Sequence, residues 1–570
     1  MAGSYSGQCL PDPRPRAALE PAPRPYMNAT SSHALLNVFR ANQIDRVFLV
    51  PGESYLGVLD ALIDFPDIDT VVCRHESGAG FMAVADGRIT GRPGVAMVSR
   101  GPGASNAAIA VHTAQQDAVP MILLVGQIPK QDLRRGAFQE IDYQKMFGSI
   151  AKWVFEATDP GQLAEAAFKA IRVATSGTPG PVVLVLPENV QQQVVEQHRW
   201  TCTEPRAGQP DAGTLAELRA TLKRAQRPLI IAGGWFERPG GREALEQFAR
   251  GWNIPVAISF RRHDVFPPTH PLYAGELGLA PSAAQMQAFR ESDLILALGT
   301  RMGDIPTQGY TFPDLPRPQQ AFVHCYPDNG VIGQTFQADF GLVCDPILLV
   351  NALPPDSDAG AHRDAQWLSR LADNIRQHVA WPDRRPERGV PFENVVRSVS
   401  DRAPDHTVIC LDAGTFAAPV YRHFRFRPPQ RLLSPLAGAM GYGTPAAIAN
   451  ALRRPDTRTI CMVGDGGFMM TGNEMILAAH RRLPVLFILS NNDAYASIRI
   501  NQEREYPGRV SGTSLFNPDF VQIAQAFGMP AFRIEDAAQV DSTVERAMAM
   551  DGPVFIEVRT DLGVSLPSSQ

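Results

Sequence analysis

The sequence lacks a long apolar run, an excess of charge of one sign and a cysteine pair with metal-binding spacing. No apolar stretch approaches the ~20 residues that span a bilayer, and the amino terminus has no apolar core typical of a secretion signal. The formal net charge of −5 gives no reason to expect nucleic acid or an anionic membrane as a partner. Several of the seven cysteines lie in apolar runs, which is typical of buried thiols in a reducing compartment. We therefore expect a cytoplasmic protein without nucleic-acid or membrane partners.

The chain of 570 residues is too long for a single hydrophobic core, and short apolar runs alternate along it with helical stretches. Such runs, rich in β-branched residues, are typical of strands buried on both faces of a parallel sheet. We therefore predict an α/β fold of three doubly wound parallel-sheet domains. The predicted divisions are a disordered leader at 1–27 with Met27 as an alternative start, domains at 28–193, 205–353 and 365–560, and a tail at 561–570.

A glycine-rich turn with one carboxylate follows a predicted buried strand in the last block. The turn contains Asp465, a helix is predicted at 473–482, and the next predicted strand ends in Asn491 and Asn492. Because the carboxyl ends of parallel strands meet at one edge of a sheet, where ligands bind, we expect these side chains to lie close together. Glycines let backbone N–H groups approach a phosphate closely. One carboxylate and one amide oxygen cannot complete the six-oxygen shell of Mg²⁺, so phosphate oxygens are expected to supply the rest.

This spacing, with twenty-four residues between Gly466 and Asn491, resembles the thiamine-diphosphate motif of the acetolactate synthase and pyruvate decarboxylase superfamily. A lone Gly-Asp-Gly is more often a tight turn, but the asparagine pair at the next strand end favours the motif. The resemblance implies that Asp465, Asn492 and the carbonyl of Ala494 hold Mg²⁺. It implies the cofactor-binding set Glu76, Gly414, Thr415, Gly438, Met440, Gly464, Asp465, Gly466, Gly467, Asn492, Ala494, Ala496, Ser497 and Ile498.

Glu76 follows a predicted strand in the first block and resembles the activating glutamate of this family. In that role it hydrogen-bonds the pyrimidine ring of the cofactor and drives the tautomer that removes the thiazolium proton. Met440 lies among glycines and is expected to prop the two cofactor rings into a bent shape, although a methionine alone is more often core filler. The Gly438 carbonyl is expected to accept a hydrogen bond from the pyrimidine amino group.

The positions expected on the substrate side depart from acetolactate synthase. Ile305 and Asn501 stand where that enzyme has an arginine and a tryptophan. Glu53 resembles the acid of pyruvate-decarboxylase-like enzymes, where a carboxylate can protonate the product of decarboxylation to give an aldehyde. Phe138 and Gln139 lie instead in a loop that resembles acetolactate synthase. The predicted catalytic residues are therefore Glu76, Met440, Glu53, Gln139 and Phe138.

The resemblance covers about residues 31 to 559 and implies a carboligase that decarboxylates a 2-oxo acid such as pyruvate and transfers the acyl unit to a second carbonyl. A non-ligating 2-oxo-acid decarboxylase, or a related carbon–carbon lyase, is the alternative. FAD is left open as a further cofactor, because residues 298–301 and 324–328 stand where acetolactate synthase holds its flavin. In this superfamily the activating glutamate and the diphosphate motif come from different subunits, so a homodimer or homotetramer is expected.

Overall fold

The computed structural model describes residues 29–198, 200–201, 207–382 and 389–562. The predicted leader at 1–27 lies outside the described residues, as does all but the beginning of the predicted tail. Three six-stranded sheets follow one another along the chain, and all their strand pairs are parallel. The predicted α/β fold of three doubly wound parallel-sheet domains is confirmed.

The first sheet has the strand order β2-β1-β3-β4-β6-β5. Its strands are β1 (Arg46–Leu49), β2 (Asp69–Val72), β3 (Gly94–Val98), β4 (Met121–Gln127), β5 (Trp153–Glu156) and β6 (Pro181–Pro187). The helices around it are α1 (Ser31–Ala41), α2 (Leu56–Leu62), α3 (Glu76–Thr90), α4 (Pro102–Asp117), α5 (Tyr143–Phe147), α6 (Leu163–Thr175) and α7 (Glu188–Gln191). Strands β3, β4 and β6 are buried along their whole length, as expected for apolar strands covered on both faces.

The middle sheet has the order β12-β11-β10-β7-β8-β9. Its strands are β7 (Pro228–Ala232), β8 (Val256–Ser259), β9 (Tyr273–Leu277), β10 (Leu294–Leu298), β11 (Ala321–Cys325) and β12 (Phe340–Leu342). The helices of this domain are α8 (Ala212–Arg224), α9 (Gly241–Trp252), α10 (Ala283–Arg290), α11 (Pro346–Asn351) and α12 (Ala365–His378). Two apolar clusters, one on each face of this sheet, form the core of the domain.

The third sheet has the order β14-β13-β15-β16-β18-β17. Its strands are β13 (Val408–Leu411), β14 (Arg431–Leu433), β15 (Thr459–Gly464), β16 (Val485–Asn491), β17 (Ala531–Ile534) and β18 (Val554–Arg559). The helices are α13 (Phe392–Arg402), α14 (Ala418–His423), α15 (Gly443–Arg453), α16 (Asp465–Thr471), α17 (Met475–His480), α18 (Ala496–Glu505), α19 (Phe520–Ala526) and α20 (Val540–Met548).

The first and third domains share one continuous core. Helix α3 packs against α15, and the rings of Phe81 and Tyr442 meet edge to face at 5.8 Å. At the far end of the same contact, Arg453 forms a two-pronged ion pair with Asp86, at 2.5 and 2.9 Å. The apolar contact and the ion pair together hold the two sheets in a fixed relation.

The direction of strand addition reverses between β1 and β3 in the first sheet and between β13 and β15 in the third. The loops that leave the carboxyl ends of such strands diverge and open a crevice, which is where ligands bind in open α/β sheets. The first crevice is flanked by the loop that contains Glu53. The second is flanked by the glycine-rich turn that begins at Asp465.

No helix in the described part of the chain is long and apolar enough to cross a membrane. The five described cysteines are free thiols and are buried. Cys9 and Cys202 lie outside the described residues.

Candidate active site

Asp465 is the first residue of α16 and follows directly from β15. Only 3% of it is exposed, and its Oδ1 accepts a hydrogen bond from the backbone N–H of Gly466 at 2.9 Å. Burial raises the pKa of this carboxyl above its ordinary value, although hydrogen bonds from Asn517 and Gly466 oppose the rise. The sequence predicts a helix only from 473, because glycine disfavours helix interiors. The structure begins a helix at Asp465 and interrupts it with a 3₁₀ turn at Gly472–Glu474.

The asparagine pair lies at the end of the neighbouring strand, as the sequence predicts. In the register of the sheet Gly464 faces Ser490, so Asp465 and Asn491 are adjacent. The Asn491 amide is buried and donates to Glu557 at 2.7 Å, which fixes its orientation. The Asn492 side chain is half-buried and its Oδ1 accepts from the backbone N–H of Ala494 at 3.2 Å.

Asn517 is a site residue that the sequence did not reveal. Its Nδ2 lies 2.8 Å from Asp465 Oδ2, 3.0 Å from Asn491 Oδ1 and 3.1 Å from Asp493 Oδ1. Three oxygens therefore converge on one hydrogen-bond donor, which is an environment that favours positive charge. No local motif surrounds Asn517. It follows Asp465 by 52 positions in the chain, and only the fold brings the two side chains together.

The oxygen atoms around Asp465 fit a hard divalent cation such as Mg²⁺. The described residues contain no group of three histidine, cysteine, aspartate or glutamate side chains that could hold a metal by itself. Amide, carbonyl and phosphate oxygens would therefore have to complete the shell. The Asn492 amide and the Ala494 carbonyl are the protein groups predicted for that role.

Asp412 organises the turn that contains Met440. Both of its carboxylate oxygens accept from the backbone N–H of Gly441 at 2.9 Å, and the residue is fully buried. Burial raises the pKa of Asp412 to about 6. A Cβ on Gly467 would lie 2.4 Å from Asp412 Oδ2, so only glycine fits there. The resemblance implies a diphosphate contact for residues 412–415, but of these only Gly414 and Thr415 are predicted as cofactor-binding residues, and the role of Asp412 in the turn is not predicted.

Met440 is half-buried and lies beside the glycine-rich turn. A Cβ on Gly466 would lie 3.3 Å from the Met440 methyl group and 2.5 Å from the ring of Tyr495. Met440 therefore borders the crevice and is not among the buried core side chains of the described residues. Gly438, in the same turn, is exposed and has φ +68°, which favours glycine.

The remaining predicted cofactor-binding residues lie on the same edge of the third sheet. Gly414 and Thr415 begin the turn after β13, and the Phe416 ring packs beside Gly414. The first turn of α18 contains a buried Ala496, with Ser497 and Ile498 exposed. Helices α16 and α18 both start at this edge, so their free N–H groups suit an anionic group.

Glu76 begins α3 at the end of β2, on the carboxyl edge of the first sheet. Its side chain is half-buried, and Oε2 accepts from Asn106 Nδ2 at 2.9 Å. The other oxygen would lie 3.4 Å from a Cβ on Gly103, so it is close to the first turn of α4. Glu76 is thus held on one side and open on the other.

Glu53, Phe138 and Gln139 lie at the same edge as Glu76, Glu53 at the start of a 3₁₀ turn and the other two in a loop. Glu53 follows β1 and is exposed. Gln139 has φ +63°, and its carbonyl oxygen would lie 2.7 Å from a Cβ on Gly101. The Phe138 ring is 78% exposed. We call Glu53, Glu76, Phe138 and Gln139 the N-terminal half-site, and Asp412, Met440, Asp465, Asn492 and Asn517 the C-terminal half-site.

The structure brings the predicted residues together in two groups on two sheets. Within the described part of the chain, no hydrogen bond joins Glu76 to Asp465 or Asn492. The two substrate-side departures lie in different domains: Ile305 is half-buried at a middle-domain turn, and Asn501 is exposed on α18. The predicted residues thus form one group on the first sheet and a second group on the third sheet.

The sequence matches three families of known domains. Residues 29–146 match the thiamine pyrophosphate enzyme N-terminal TPP binding domain, residues 215–353 the central domain, and residues 412–558 the C-terminal TPP binding domain. The two matched TPP binding domains contain the two half-sites described above. The matches therefore agree with the geometry at both sheet edges.

The chain is also similar to other proteins over most of their length. It is 29% identical to the acetolactate synthase isozyme 2 large subunit of Escherichia coli K12, over 92% of this chain and 95% of that protein. It is 30% identical to the isozyme 1 large subunit of the same organism, over 93% and 94% of the two chains. It is 30% identical to the acetolactate synthase large subunit of Parasynechococcus marenigrum WH8102, over 93% and 87%. The chain therefore belongs to the thiamine-pyrophosphate-dependent enzymes, in the family of the acetolactate synthase large subunits.

Proposed function

We propose that the chain is an acetolactate-synthase-like carboligase that decarboxylates a 2-oxo acid such as pyruvate and transfers the acyl unit to a second carbonyl. The observation that carries the proposal is the pair of half-sites on the carboxyl edges of two sheets, in a chain that matches acetolactate synthase large subunits over more than 90% of its length. When bound, thiamine diphosphate supplies a thiazolium carbon that adds to the substrate carbonyl and accommodates the electron pair left by CO₂.

The C-terminal half-site supplies the ligands for the metal and the diphosphate in this proposal. Asp465, Asn492 and the Ala494 carbonyl hold Mg²⁺, and Asn517 orients the Asp465 carboxylate through its 2.8 Å bond. The N–H groups at the start of α16 would donate to the phosphates, because the first N–H groups of a helix have no partner within it. Asp412 fixes the turn that presents Gly438 and Met440 to the cofactor.

The N-terminal half-site supplies the proton-transfer group. The Glu76 carboxylate accepts a hydrogen bond from Asn106 on one oxygen, which leaves its open side for the pyrimidine nitrogen of the cofactor. Phe138 and Gln139 border the same opening and are placed to contact the substrate. Their exposure in the single chain fits a surface that a ligand or another subunit covers.

A non-ligating decarboxylase is the second candidate, and Glu53 is the observation that favours it. Its carboxylate is exposed at the edge that also presents Glu76, where it could protonate the product of decarboxylation. A panel of 2-oxo acids given to the protein with thiamine diphosphate and Mg²⁺ separates the two candidates. Acetolactate or another acyloin supports ligation, whereas CO₂ with free aldehyde and no acyloin would replace the carboligase proposal.

We also propose that two copies of the chain complete each site. Apolar side chains around both half-sites are largely exposed in the single chain, and exposed apolar patches mark interaction surfaces. The exposed fractions are 40% for Ile109, 78% for Phe138, 55% for Met469, 47% for Met470 and 52% for Ile498. A mixture of Glu76→Gln and Asp465→Asn chains tests this. Sites shared between chains regain activity when the two inactive variants form mixed dimers, and sites within one chain do not.

FAD and the cytoplasmic location stay predictions. A cleft of about 1860 Å³ lies beside the middle domain, and its lining includes Gly234 and Thr300 at strand ends. Arg262 covers Gly234 and is held by Glu237 at 2.7 Å, with both side chains less than a tenth exposed. Arg301 and Tyr326, which belong to the two segments predicted to hold a flavin, also line this cleft, so FAD stays a prediction for this part of the chain. The visible absorbance of the purified protein tests the point.

A further inference from the structure

Glu474 belongs to the third domain, but its side chain contacts the backbone of the first-domain turn that leads to Glu76. It lies in the 3₁₀ turn that follows α16, and its side chain is fully buried. Its Oε1 accepts from the backbone N–H groups of Arg74 at 2.9 Å and His75 at 3.0 Å. These two residues connect β2 to Glu76, the first residue of α3.

Room for this carboxylate depends on a glycine in the first turn of α3. A Cβ on Gly78 would lie 2.5 Å from Glu474 Oε1 and 2.9 Å from its Cδ. Burial raises the pKa of Glu474 to about 7, and the N–H groups of Arg74 and His75 partly offset that rise. Burying a carboxyl group destabilises a protein unless hydrogen bonds satisfy its oxygens. The position of Glu474 therefore depends on its hydrogen bonds to this turn.

We propose that Glu474 is a positioning residue that holds the Arg74–Glu76 turn, and through it sets where the Glu76 carboxylate stands. The proposal rests on the proposed role of Glu76 in activating the cofactor. Glu474 touches no reacting atom in this scheme. It acts because a turn held by two N–H bonds cannot shift, and a displacement of about 1 Å in a proton-transfer group costs up to ~100-fold in rate.

Three substitutions test the contact from different directions. Glu474→Ala removes both acceptor oxygens, whereas Glu474→Gln keeps an Oε1 that can accept from Arg74 and His75. Gly78→Ala leaves Glu474 in place but pushes a methyl group against it. In an exposed helix a Gly→Ala change stabilises the protein, so impairment by Gly78→Ala points to the contact itself.

The matched control is Asp86→Asn. Asp86 lies on the same helix as Glu76 and joins the same two domains through Arg453, but at the other end of α3. A general weakening of the domain contact affects this variant as well. Glu474→Ala differs from Asp86→Asn because it also removes the hydrogen bonds that hold the Arg74–Glu76 turn.

The first readout is the exchange of the thiazolium C2 proton for deuterium in the protein loaded with thiamine diphosphate and Mg²⁺, without substrate. We expect Glu474→Ala and Gly78→Ala to slow the exchange by about 10-fold or more, and Glu474→Gln and Asp86→Asn to stay within about 3-fold of the unchanged protein. The second readout is tryptic cleavage after the exposed Arg74 in cofactor-free protein, which Glu474→Ala should accelerate and Asp86→Asn should not.

Unchanged exchange in Glu474→Ala, with Glu76→Gln blocking exchange, would overturn the positioning role and leave the function of Glu76 intact. Exchange that persists in Glu76→Gln would instead refute the proposed function on which the inference rests. If Glu474→Ala does not fold, Gly78→Ala and Glu474→Gln decide the matter: equal exchange rates in both overturn the proposal.

Discussion

The two half-sites differ in how far one chain already satisfies their polar groups. In the C-terminal half-site, Asp412 and Asp465 are almost fully buried and accept hydrogen bonds from the backbone or from Asn517. In the N-terminal half-site, Glu76 is half-buried and Glu53 is exposed. The contrast fits the proposed division of roles, in which the C-terminal half-site holds the cation and the phosphates. The N-terminal half-site presents a carboxylate to a ligand that is anchored elsewhere.

The strongest test of this contrast is Glu76→Gln. Glutamine keeps the shape of the side chain but cannot take up a proton, so we expect turnover to fall by about 100-fold or more, the range of general acid–base catalysis. Cofactor affinity should change little, because the anchoring groups lie in the other half-site. CO₂ release and thiamine diphosphate binding measure the two effects. Full activity in this variant would remove Glu76 from the mechanism.

The converse substitution is Asp465→Asn. Asp465 is the only carboxylate predicted to bind the metal, so we expect this change to weaken Mg²⁺-dependent cofactor binding by ~100-fold. Loss of a residue that merely supports a metal ligand weakens metal binding by about 10- to 100-fold, and loss of the ligand itself should cost at least as much as the upper value. Asp519→Asn is the control, because it removes the same charge at a residue that caps α19 and bonds Gln522 and Arg533, neither of which belongs to the half-site. Calorimetric titration with thiamine diphosphate, with and without Mg²⁺, measures the affinity. Equal affinities in the two variants would contradict the assigned metal site.

The sequence predicted those parts of the site that lie in local patterns. Asp465 and Asn492 follow apolar strands, and the parallel sheet places such strand ends on one edge, so their proximity could be inferred. Glu76 follows a strand in the same way. The three-domain fold could be inferred because buried strands and helices differ in length and period.

The residues that escaped prediction act across long separations in the chain. Asn517 reaches back to Asp465, and Glu474 reaches the N–H group of Arg74 across 400 positions. Their partners depend on tertiary packing, and no local pattern marks them. Asp412 belongs to the segment 412–415, which the resemblance links to the diphosphate, but its role depends on the Gly441 turn, which only the fold brings to it.

Asp412→Asn tests the contrast between the two half-sites through the pH dependence of the free energy of unfolding. Asp412 has its folded-state pKa raised from 3.8 to about 6, so the folded protein holds a proton there that the unfolded chain has released. Its contribution to stability is therefore most favourable below pH 3.8 and falls as the pH rises to about 6, by roughly 3 kcal/mol in total. The asparagine side chain of the variant cannot titrate, so this part of the pH dependence should disappear. Urea unfolding of both proteins between pH 4 and pH 7, which spans most of this window, measures the difference. Identical pH profiles would show that Asp412 titrates normally.

Met440 gives the smallest of these effects, because it acts through shape alone. Met440→Leu conserves the volume of the side chain and should keep kcat within about 3-fold. Met440→Ala leaves space beside Gly466 and should lower kcat by about 10-fold, at the low end of what a strained bound conformation contributes. Cofactor affinity should stay unchanged or rise, because the cofactor would no longer be forced to bend. If Met440 were core filler, Met440→Ala would lower the thermal stability of the cofactor-free protein and leave kcat alone, so parallel unfolding and rate measurements on the same preparations separate the two roles.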